Sequence, residues 1–223
     1  MPKARQVIDE VKRELQEVEN KICQHPYLKA LENGQIKKDK LKLFVGEQSH
    51  IIRSDLCSVA LLLSRYGLSP SRDFFWMVLQ GEKAALEAVS LLAHALQMTP
   101  EELANYEPKA GAYAYTAYMA WMALYASDAE VAAAYLVNFT AWGDNCARME
   151  KALQEKYRLT GMDLVFFSIF STPPEDFEAK ALAVVEAGLS RGVEVRLIRR
   201  AARLLQNYEL MYWDTLYSLS TID

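Results

Sequence analysis

The chain has 223 residues, of which 52% are hydrophobic and 24% are charged, and its formal net charge is −4 at pH 7. This is the composition of an ordinary globular protein, and the net negative charge argues against a nucleic-acid partner, because phosphate binding needs a concentrated basic surface. No apolar run approaches the ~18 uncharged residues of a membrane span, and the N-terminal residues lack a signal-peptide core, so we expect a cytoplasmic protein with no membrane partner.

Apolar residues recur at helical spacing through the first half of the chain. The first predicted helix stops before Pro26, because proline disfavours helix in the residue that precedes it. Thr99 and Glu102 form the capping-box pattern that starts a short helix. The predicted helices of this half are 3–24, 36–66, 70–98 and 100–105.

The second half continues the helical pattern, and Ser127 is placed to cap its longest helix. Its predicted helices are 113–127, 128–157, 175–190 and 193–219, and 158–174 is predicted to be a loop. No linker, internal repeat or shift of composition divides the chain. We therefore predict one all-α domain, 1–223, folded as a compact multi-helix bundle, since the strict heptads of a coiled coil are absent.

Glu209 lies in the middle of an apolar stripe on the last predicted helix. The stripe consists of Ile198, Ala202, Leu205, Glu209, Tyr212 and Leu216. Burying an unpaired carboxylate costs several kcal/mol. Glu209 is therefore protonated, paired or facing a polar cavity, unless the position lies at a helix edge and reaches solvent.

Other helices also place a polar residue on an apolar stripe. Gln48 follows Phe44 by four residues, Asn138 lies between Tyr135 and Trp142, and Tyr115 shares a face with Met122. Polar groups that converge inside aromatic walls form either a ligand pocket or a buried hydrogen-bond network. The pattern leaves both interpretations open.

Four short motifs resemble a known family. They are His25-Pro26-Tyr27, Phe44-Val45-Gly46-Glu47-Gln48, Tyr113-Ala114-Tyr115-Thr116 and Tyr208-Glu209-Leu210-Met211-Tyr212-Trp213. Their order and spacing resemble the TenA/thiaminase II and PqqC family, and the resemblance spans nearly the whole chain. It implies the haem-oxygenase-like fold, a small-molecule ligand, and assembly as a homodimer or homotetramer.

The family's catalytic cysteine matches Asn138 in this chain. An amide cannot replace a thiolate as nucleophile, and Cys146 lies about two helical turns, ~12 Å, further on. The resemblance therefore implies a divergent member that is not an ordinary thiaminase II. It places Gln48 at the pyrimidine-binding aspartate, and Ile51 and Phe170 at pocket tyrosines.

The resemblance retains Glu209 and Tyr115, which we predict as the catalytic residues. In this prediction Glu209 is the acid/base and Tyr115 a hydrogen-bond donor. The predicted ligand-binding residues are Gln48, Asn138, Trp142, Phe44, Ile51, Phe170, Tyr212 and Trp213.

Metal-dependent relatives of the same fold need several histidine and carboxylate ligands. The chain has three histidines and no His-x-x-x-Asp-x-x-His run. The pairs Glu47/His50 and Glu87/His94 have ligand-like spacing but are isolated, so no metal and no cofactor are predicted. His25 precedes Pro26 and is expected to cap or pack at a helix junction.

The function predicted is binding of a small heterocyclic metabolite around Glu209, with or without its transformation, in a thiamin- or cofactor-metabolism-like role. If the protein is an enzyme, the chemistry is acid/base chemistry without a cysteine nucleophile. The alternatives are a non-catalytic binding protein, a structural helical protein whose pocket is filled by side chains, and a metal-dependent oxygenase of the same fold.

Overall fold

The computed structural model describes residues 3–221, which form ten α-helices and two short 3-10 helices and contain no β-strand. The α-helices are α1 (Ala4–Cys23), α2 (Pro26–Glu32), α3 (Leu41–Tyr66), α4 (Arg72–Ala95), α5 (Pro100–Ala104), α6 (Ala110–Tyr125), α7 (Asp128–Tyr157), α8 (Val165–Ser171), α9 (Phe177–Ser190) and α10 (Val195–Thr221). The 3-10 helices are Lys38–Lys40 and Gly161–Leu164. The all-α prediction is confirmed.

Side-chain caps define three of the helix starts. Thr99 and Ser127 each accept a hydrogen bond from the backbone N–H three residues on, and Glu102 and Glu130 return the bond to the cap residue. The ring Nδ1 of His25 accepts from the Tyr27 N–H at 3.2 Å and so caps α2. These contacts satisfy N–H groups that have no partner within the helix, and they confirm the predicted starts at Thr99 and Ser127 and the capping role of His25.

The prediction of a loop over 158–174 is wrong. Residues Val165–Ser171 form α8, a helix of seven residues. Phe166 and Phe167 are fully buried and Phe170 is 8% exposed. A helix this short is not stable through propensity, so the burial of these rings against α7 and α4 holds it. Seven residues are also too few to show a helical period in the sequence.

Two apolar clusters fill the bundle, one towards each end. Six helices, α1, α3, α4, α6, α7 and α10, contribute residues to both clusters. In α3, for example, Ile52 belongs to the first cluster and Val59 to the second. The rings of Tyr115 and Phe139 pack against both clusters.

A layer of polar residues, all of them buried except the half-buried Tyr115, separates the two apolar clusters. We call it the polar layer, and it consists of Asp55 on α3, Glu82 on α4, Tyr115 and Thr116 on α6, Asn138 on α7, and Gln206 and Glu209 on α10. Each helix therefore carries its polar residue at the point where its apolar stripe passes from one cluster to the other. This arrangement brings the polar residues of five helices to the same level of the bundle.

The outer face of α6 is aromatic and exposed. Trp121 is 41% and Tyr125 71% exposed, whereas Met119 and Met122 on the opposite face are buried in the core. The predicted assembly as a homodimer or homotetramer stays a prediction. None of the described helices is both long enough and apolar enough to cross a membrane.

Candidate functional site

Glu209 is buried in the polar layer and hydrogen-bonded through both carboxyl oxygens. The Trp213 indole N–H donates to Oε1 at 3.1 Å, and the Asn138 amide donates to Oε2. Burial raises the pKa of Glu209 to about 7, and the bonds from Trp213 and Asn138 oppose that rise. The alternative that Glu209 reaches solvent at a helix edge is wrong, since the residue is 2% exposed.

Asn138 is the centre of the hydrogen-bond network. Its Nδ2 donates to Gln206 Oε1 at 2.8 Å and to Glu209, and its Oδ1 accepts from the Tyr115 hydroxyl at 3.1 Å. In this orientation both Nδ2 and Oδ1 of the amide have hydrogen-bond partners. Asn138 therefore holds the carboxylate of Glu209 in place.

A small cavity adjoins this network, which we call the inner cavity. Its volume is about 40 Å³. Space of this size holds a water molecule or a very small ligand, whereas pockets for metabolites occupy roughly 300–1,000 Å³. The sequence left two interpretations open, a ligand pocket and a buried hydrogen-bond network. The structure contains a hydrogen-bond network beside a cavity that is too small for a metabolite.

A second space, the outer cavity, lies against the inner one. It has a volume of about 390 Å³ and is bounded by α4, α7, α8 and the Thr172–Pro174 turn. Glu82, Phe139 and Phe170 line both cavities. The rings of Phe139 and Phe170, with centroids 6.1 Å apart, therefore form part of the wall between the two spaces.

Two further carboxylates, Asp55 and Glu82, line the inner cavity. Asp55 accepts a hydrogen bond from the Thr116 hydroxyl at 2.5 Å, and burial raises its pKa to about 7. Burial raises the pKa of Glu82 well above its ordinary value, and the charge of Asp55 adds to the rise. Among the described residues, no lysine, arginine or histidine lines either cavity.

Most of the residues predicted for the site meet at the inner cavity. Those that line it are Gln48, Ile51, Tyr115, Asn138, Trp142, Phe170, Glu209 and Tyr212. Phe44 does not line it: its ring packs in the core against Phe166 and Phe167. Trp213 lies behind Glu209 and reaches it through the indole N–H.

Sequence reasoning missed Glu82 and Gln206. Glu82 lies between Val78 and Ala85 on the buried stripe of α4, which is the same signal that pointed to Glu209. Gln206 is one turn before Glu209 and fully buried. Both could have been found by asking which polar residues stand on apolar stripes in every helix.

The isolated pairs considered as metal ligands bind other groups of the protein. Glu47 Oε1 accepts from the Tyr106 hydroxyl at 2.7 Å and from the Lys109 N–H at 3.0 Å, and His50 Nε2 lies 2.7 Å from the Tyr106 carbonyl. Glu87 is exposed and pairs with Lys83. Within residues 3–221, no group of three or more His, Cys, Asp and Glu side chains is arranged to hold a metal ion.

Cys146 is buried away from the cavity, and burial raises the pKa of its thiol well above the ordinary value. Since the thiolate is the nucleophilic form, Cys146 is unreactive in this position. No cysteine of the described chain lines the inner cavity.

A sequence model of the TENA/THI-4/PQQC family matches residues 12–165, more than half of the chain. The chain belongs to this family. The match includes Gln48, Tyr115 and Asn138 but ends before α10, so the placement of Glu209 in the site rests on the structure. No curated protein sequence matches the chain.

Solved structures with TenA and haem-oxygenase names share the fold. A TenA homologue from P. horikoshii OT3 is 17% identical with a TM-score of 0.75, and the similarity covers 96% of this chain and 99% of that one. A TenA homologue from Pseudomonas syringae pv. tomato is 12% identical with a TM-score of 0.76 over 94% and 92% of the two chains. Haem oxygenase-1 from Synechocystis, in complex with haem, is 11% identical with a TM-score of 0.68 over 96% and 91%. The predicted haem-oxygenase-like fold is confirmed.

Proposed function

We propose that this member of the TENA/THI-4/PQQC family binds a small heterocycle of the aminopyrimidine type against Glu209, in a thiamin-metabolism-like role. The observation that carries the proposal is the buried carboxylate of Glu209, held by Asn138 and Trp213 beside an aromatic-walled cavity. Family membership supports the thiamin-related substrate class.

The carboxyl of Glu209 suits an aminopyrimidine in two protonation states. Its pKa of about 7 means that both the acid and the carboxylate are populated at neutral pH. The acid donates to a ring nitrogen, and the carboxylate accepts from an exocyclic amino group. A group whose pKa matches the working pH is also the most effective proton carrier. Trp142, Phe170 and Tyr212 offer ring surface for stacking.

The chemistry in this proposal uses proton transfer and no covalent thiol intermediate. Asn138 occupies the nucleophile's place and uses both of its amide hydrogens within the network. Glu209 therefore protonates or deprotonates the bound ring, or activates a water molecule beside it.

Binding of a whole ring requires the wall between the cavities to open. The inner cavity of about 40 Å³ is too small for a six-membered ring with substituents, whereas the outer cavity of about 390 Å³ has room for one. Rotation of Phe139 and Phe170 would join the two spaces and admit the ring to Glu209. The outer cavity is thus the route of entry in this proposal.

The first test measures binding of 4-amino-2-methylpyrimidine by thermal shift and calorimetry. We expect it to raise the Tm of the wild type, and to bind at least tenfold more weakly to Glu209→Gln, which removes the ionisable group. Glu155→Gln, on the exposed surface of α7, is the matched control and should bind like the wild type.

A second ligand, 2-methylpyrimidine, lacks the exocyclic amino group and should bind more weakly than the amino compound to the wild type. Equal binding of 4-amino-2-methylpyrimidine to the wild type and Glu209→Gln, with both proteins folded, would remove Glu209 from the site. No binding to the wild type would reject the proposed ligand class.

A further inference from the structure

The inner cavity has a second acidic region, separate from the Glu209 network. Asp55 on α3 and Glu82 on α4 are 3% and 7% exposed, and both line this cavity. Glu82 also lines the outer cavity. Two carboxylates without a neighbouring cation are costly to bury, unless they hold protons or face a positively charged ligand.

The hydroxyl of Tyr135 is a second, independent indication of a ligand site beside these carboxylates. Tyr135 is 1% exposed and lines the same cavity. Its hydroxyl has no hydrogen-bond partner among the described residues. Burial raises its pKa, and the charges of Asp55 and Glu82 add to that rise, which places the phenol within their field. Buried hydroxyls are rarely left without a partner, so each exception needs an explanation.

The unused hydrogen-bond acceptors of these residues indicate which kind of group they can bind. In the part of the chain that the structure describes, Asp55 receives one hydrogen bond, from Thr116, and Glu82 receives none. A carboxylate accepts up to about four hydrogen bonds, and a phenol oxygen can also accept. The cavity therefore presents several unused hydrogen-bond acceptors. A positively charged group with several hydrogen-bond donors would fit them.

We propose that Asp55, Glu82 and Tyr135 form an ammonium subsite, which binds the protonated primary amine of a ligand. An alkylammonium group carries three N–H donors and one positive charge, and can therefore satisfy both carboxylates and the phenol oxygen together. The subsite rests on the proposed function, because it shares the inner cavity with Glu209 and specifies the charge of the ligand bound there.

A divalent metal ion fits this region less well than an ammonium group. Mg²⁺ and Ca²⁺ take six or more oxygen ligands in a defined geometry, of which this region offers two carboxylates and a phenol. An ammonium ion needs only acceptors at hydrogen-bond distance, and the aromatic rings of Phe139 and Phe170 beside it can face its charge.

Binding of the ammonium group should also release protons. The titratable groups that line the cavity are Asp55, Glu82, Tyr115, Tyr135, Glu209 and Tyr212. Asp55 and Glu209, whose pKa values are about 7, are partly protonated near pH 7, and burial also raises the pKa of Glu82, so a cation binds by replacing protons. Affinity for the ammonium should therefore rise between pH 6 and pH 8.

The experiment compares methylammonium with methanol, two ligands small enough for the inner cavity as it stands. Dissociation constants are measured by thermal shift at pH 8, with sodium chloride holding the ionic strength constant. For the wild type we expect methylammonium to bind at least ~10-fold more tightly than methanol, as charge-assisted hydrogen bonds imply. Asp55→Asn and Glu82→Gln should each reduce this preference to less than ~3-fold.

Glu87→Gln, an exposed position on the same helix as Glu82, is the matched control and should keep the preference. Tyr135→Phe removes only the hydroxyl and leaves both carboxylates in place. It should lower the preference for methylammonium over methanol, and it provides the test if a carboxylate variant does not fold. The subsite is rejected if the wild type shows no preference, if the preference survives in both carboxylate variants, or if Mg²⁺ stabilises the wild type in place of methylammonium.

Measurements with 4-amino-2-methylpyrimidine on the same proteins separate the two proposals. Binding of the ring without any preference for methylammonium rejects the subsite and keeps the proposed function. A preference for methylammonium without binding of the ring keeps the subsite and rejects the proposed ligand class.

Discussion

Asn138 shows how a single amide can fix the geometry of a buried polar network. Its side chain makes three hydrogen bonds, to Tyr115, Gln206 and Glu209. A cysteine at this position could donate only one weak hydrogen bond. The amide therefore holds Glu209 more firmly than a thiol would, and Asn138 is the central residue of the network.

The stability of the protein should depend on pH through Glu209. Its pKa is about 7 in the folded protein and has an ordinary value of 4.5. Between these values the folded state keeps a proton that the unfolded state releases, so stability falls as pH rises through the window and levels off above it. The free energy of unfolding falls by about 1.4 kcal/mol for each pH unit between the two pKa values, and by about 3 kcal/mol over the whole interval.

Glu209→Gln should remove this part of the pH dependence. The glutamine amide meets two donors, Asn138 and Trp213, which adds a cost that is the same at every pH. The free energy of unfolding of the variant relative to the wild type should therefore improve by about 3 kcal/mol from pH 4.5 to pH 8. Urea titrations at several pH values measure it, and parallel curves for the two proteins would contradict the raised pKa.

Residues on clear apolar stripes were predictable from the sequence, and residues whose role depends on contacts between helices were not. The sequence placed Glu209, Gln48 and Asn138 in the interior because each interrupts a helical stripe. Phe44 lies on such a stripe too, yet its ring fills the core. Periodicity shows which face of a helix a side chain lies on, but not which residues of other helices it contacts.

At the scale of elements, α7 and α8 meet at a glycine. A Cβ on Gly143 would lie 2.9 Å from the carbonyl oxygen of Phe170, which is too close for a backbone neighbour to tolerate without a shift. Gly143 thus sets the distance between α7 and α8, and with it the position of Phe170 in the wall between the cavities.

Gly143→Ala should destabilise the protein by about 1–3 kcal/mol, the usual cost of overpacking. Gly81→Ala is the matched control, because a Cβ there meets nothing within 4 Å. In the interior of α4 this second change should stabilise by about 0.5–1 kcal/mol. Denaturant unfolding of both variants measures the difference, and equal effects of the two alanines would mean that α8 is free to move away from α7.

The helices capped by Thr99 and Ser127 were predictable, and α2 and α8 were not. Thr99 and Ser127 mark helix starts through local chemistry that the sequence shows directly. Val165–Ser171 is helical because three phenylalanines are buried against other helices. Tertiary contacts stabilise this helix, and the segment is too short for its sequence to show a helical period.

At the scale of the whole molecule, the polar layer interrupts one core and does not divide two domains. Helices α3, α4, α7 and α10 pass through the layer and pack in both apolar clusters. Disruption of one apolar cluster would therefore unfold helices that also form the other cluster. The size of the inner cavity, in contrast, depends on side-chain rotamers at this level of the bundle, which no pattern in the sequence records.

We expect a single cooperative unfolding transition. Leu92→Ala in the first cluster and Leu205→Ala in the second should each lower the same Tm, at a cost of about 2–5 kcal/mol. Differential scanning calorimetry should give one peak for the wild type and both variants, with calorimetric and van't Hoff enthalpies in agreement. Two peaks, each sensitive to one variant, would show that the clusters unfold separately.

The contact between Trp213 and Glu209 makes the site optically visible. Of the four tryptophans in the chain, Trp213 donates to the buried carboxylate and Trp142 lines the inner cavity. Trp76 and Trp121 are 52% and 41% exposed. Indole fluorescence responds to nearby charge and polarity, so the buried pair emits from beside Glu209 and the exposed pair from solvent. Ionisation of one carboxyl group, or arrival of a ligand next to it, is thereby converted into a change of light emission with no added label.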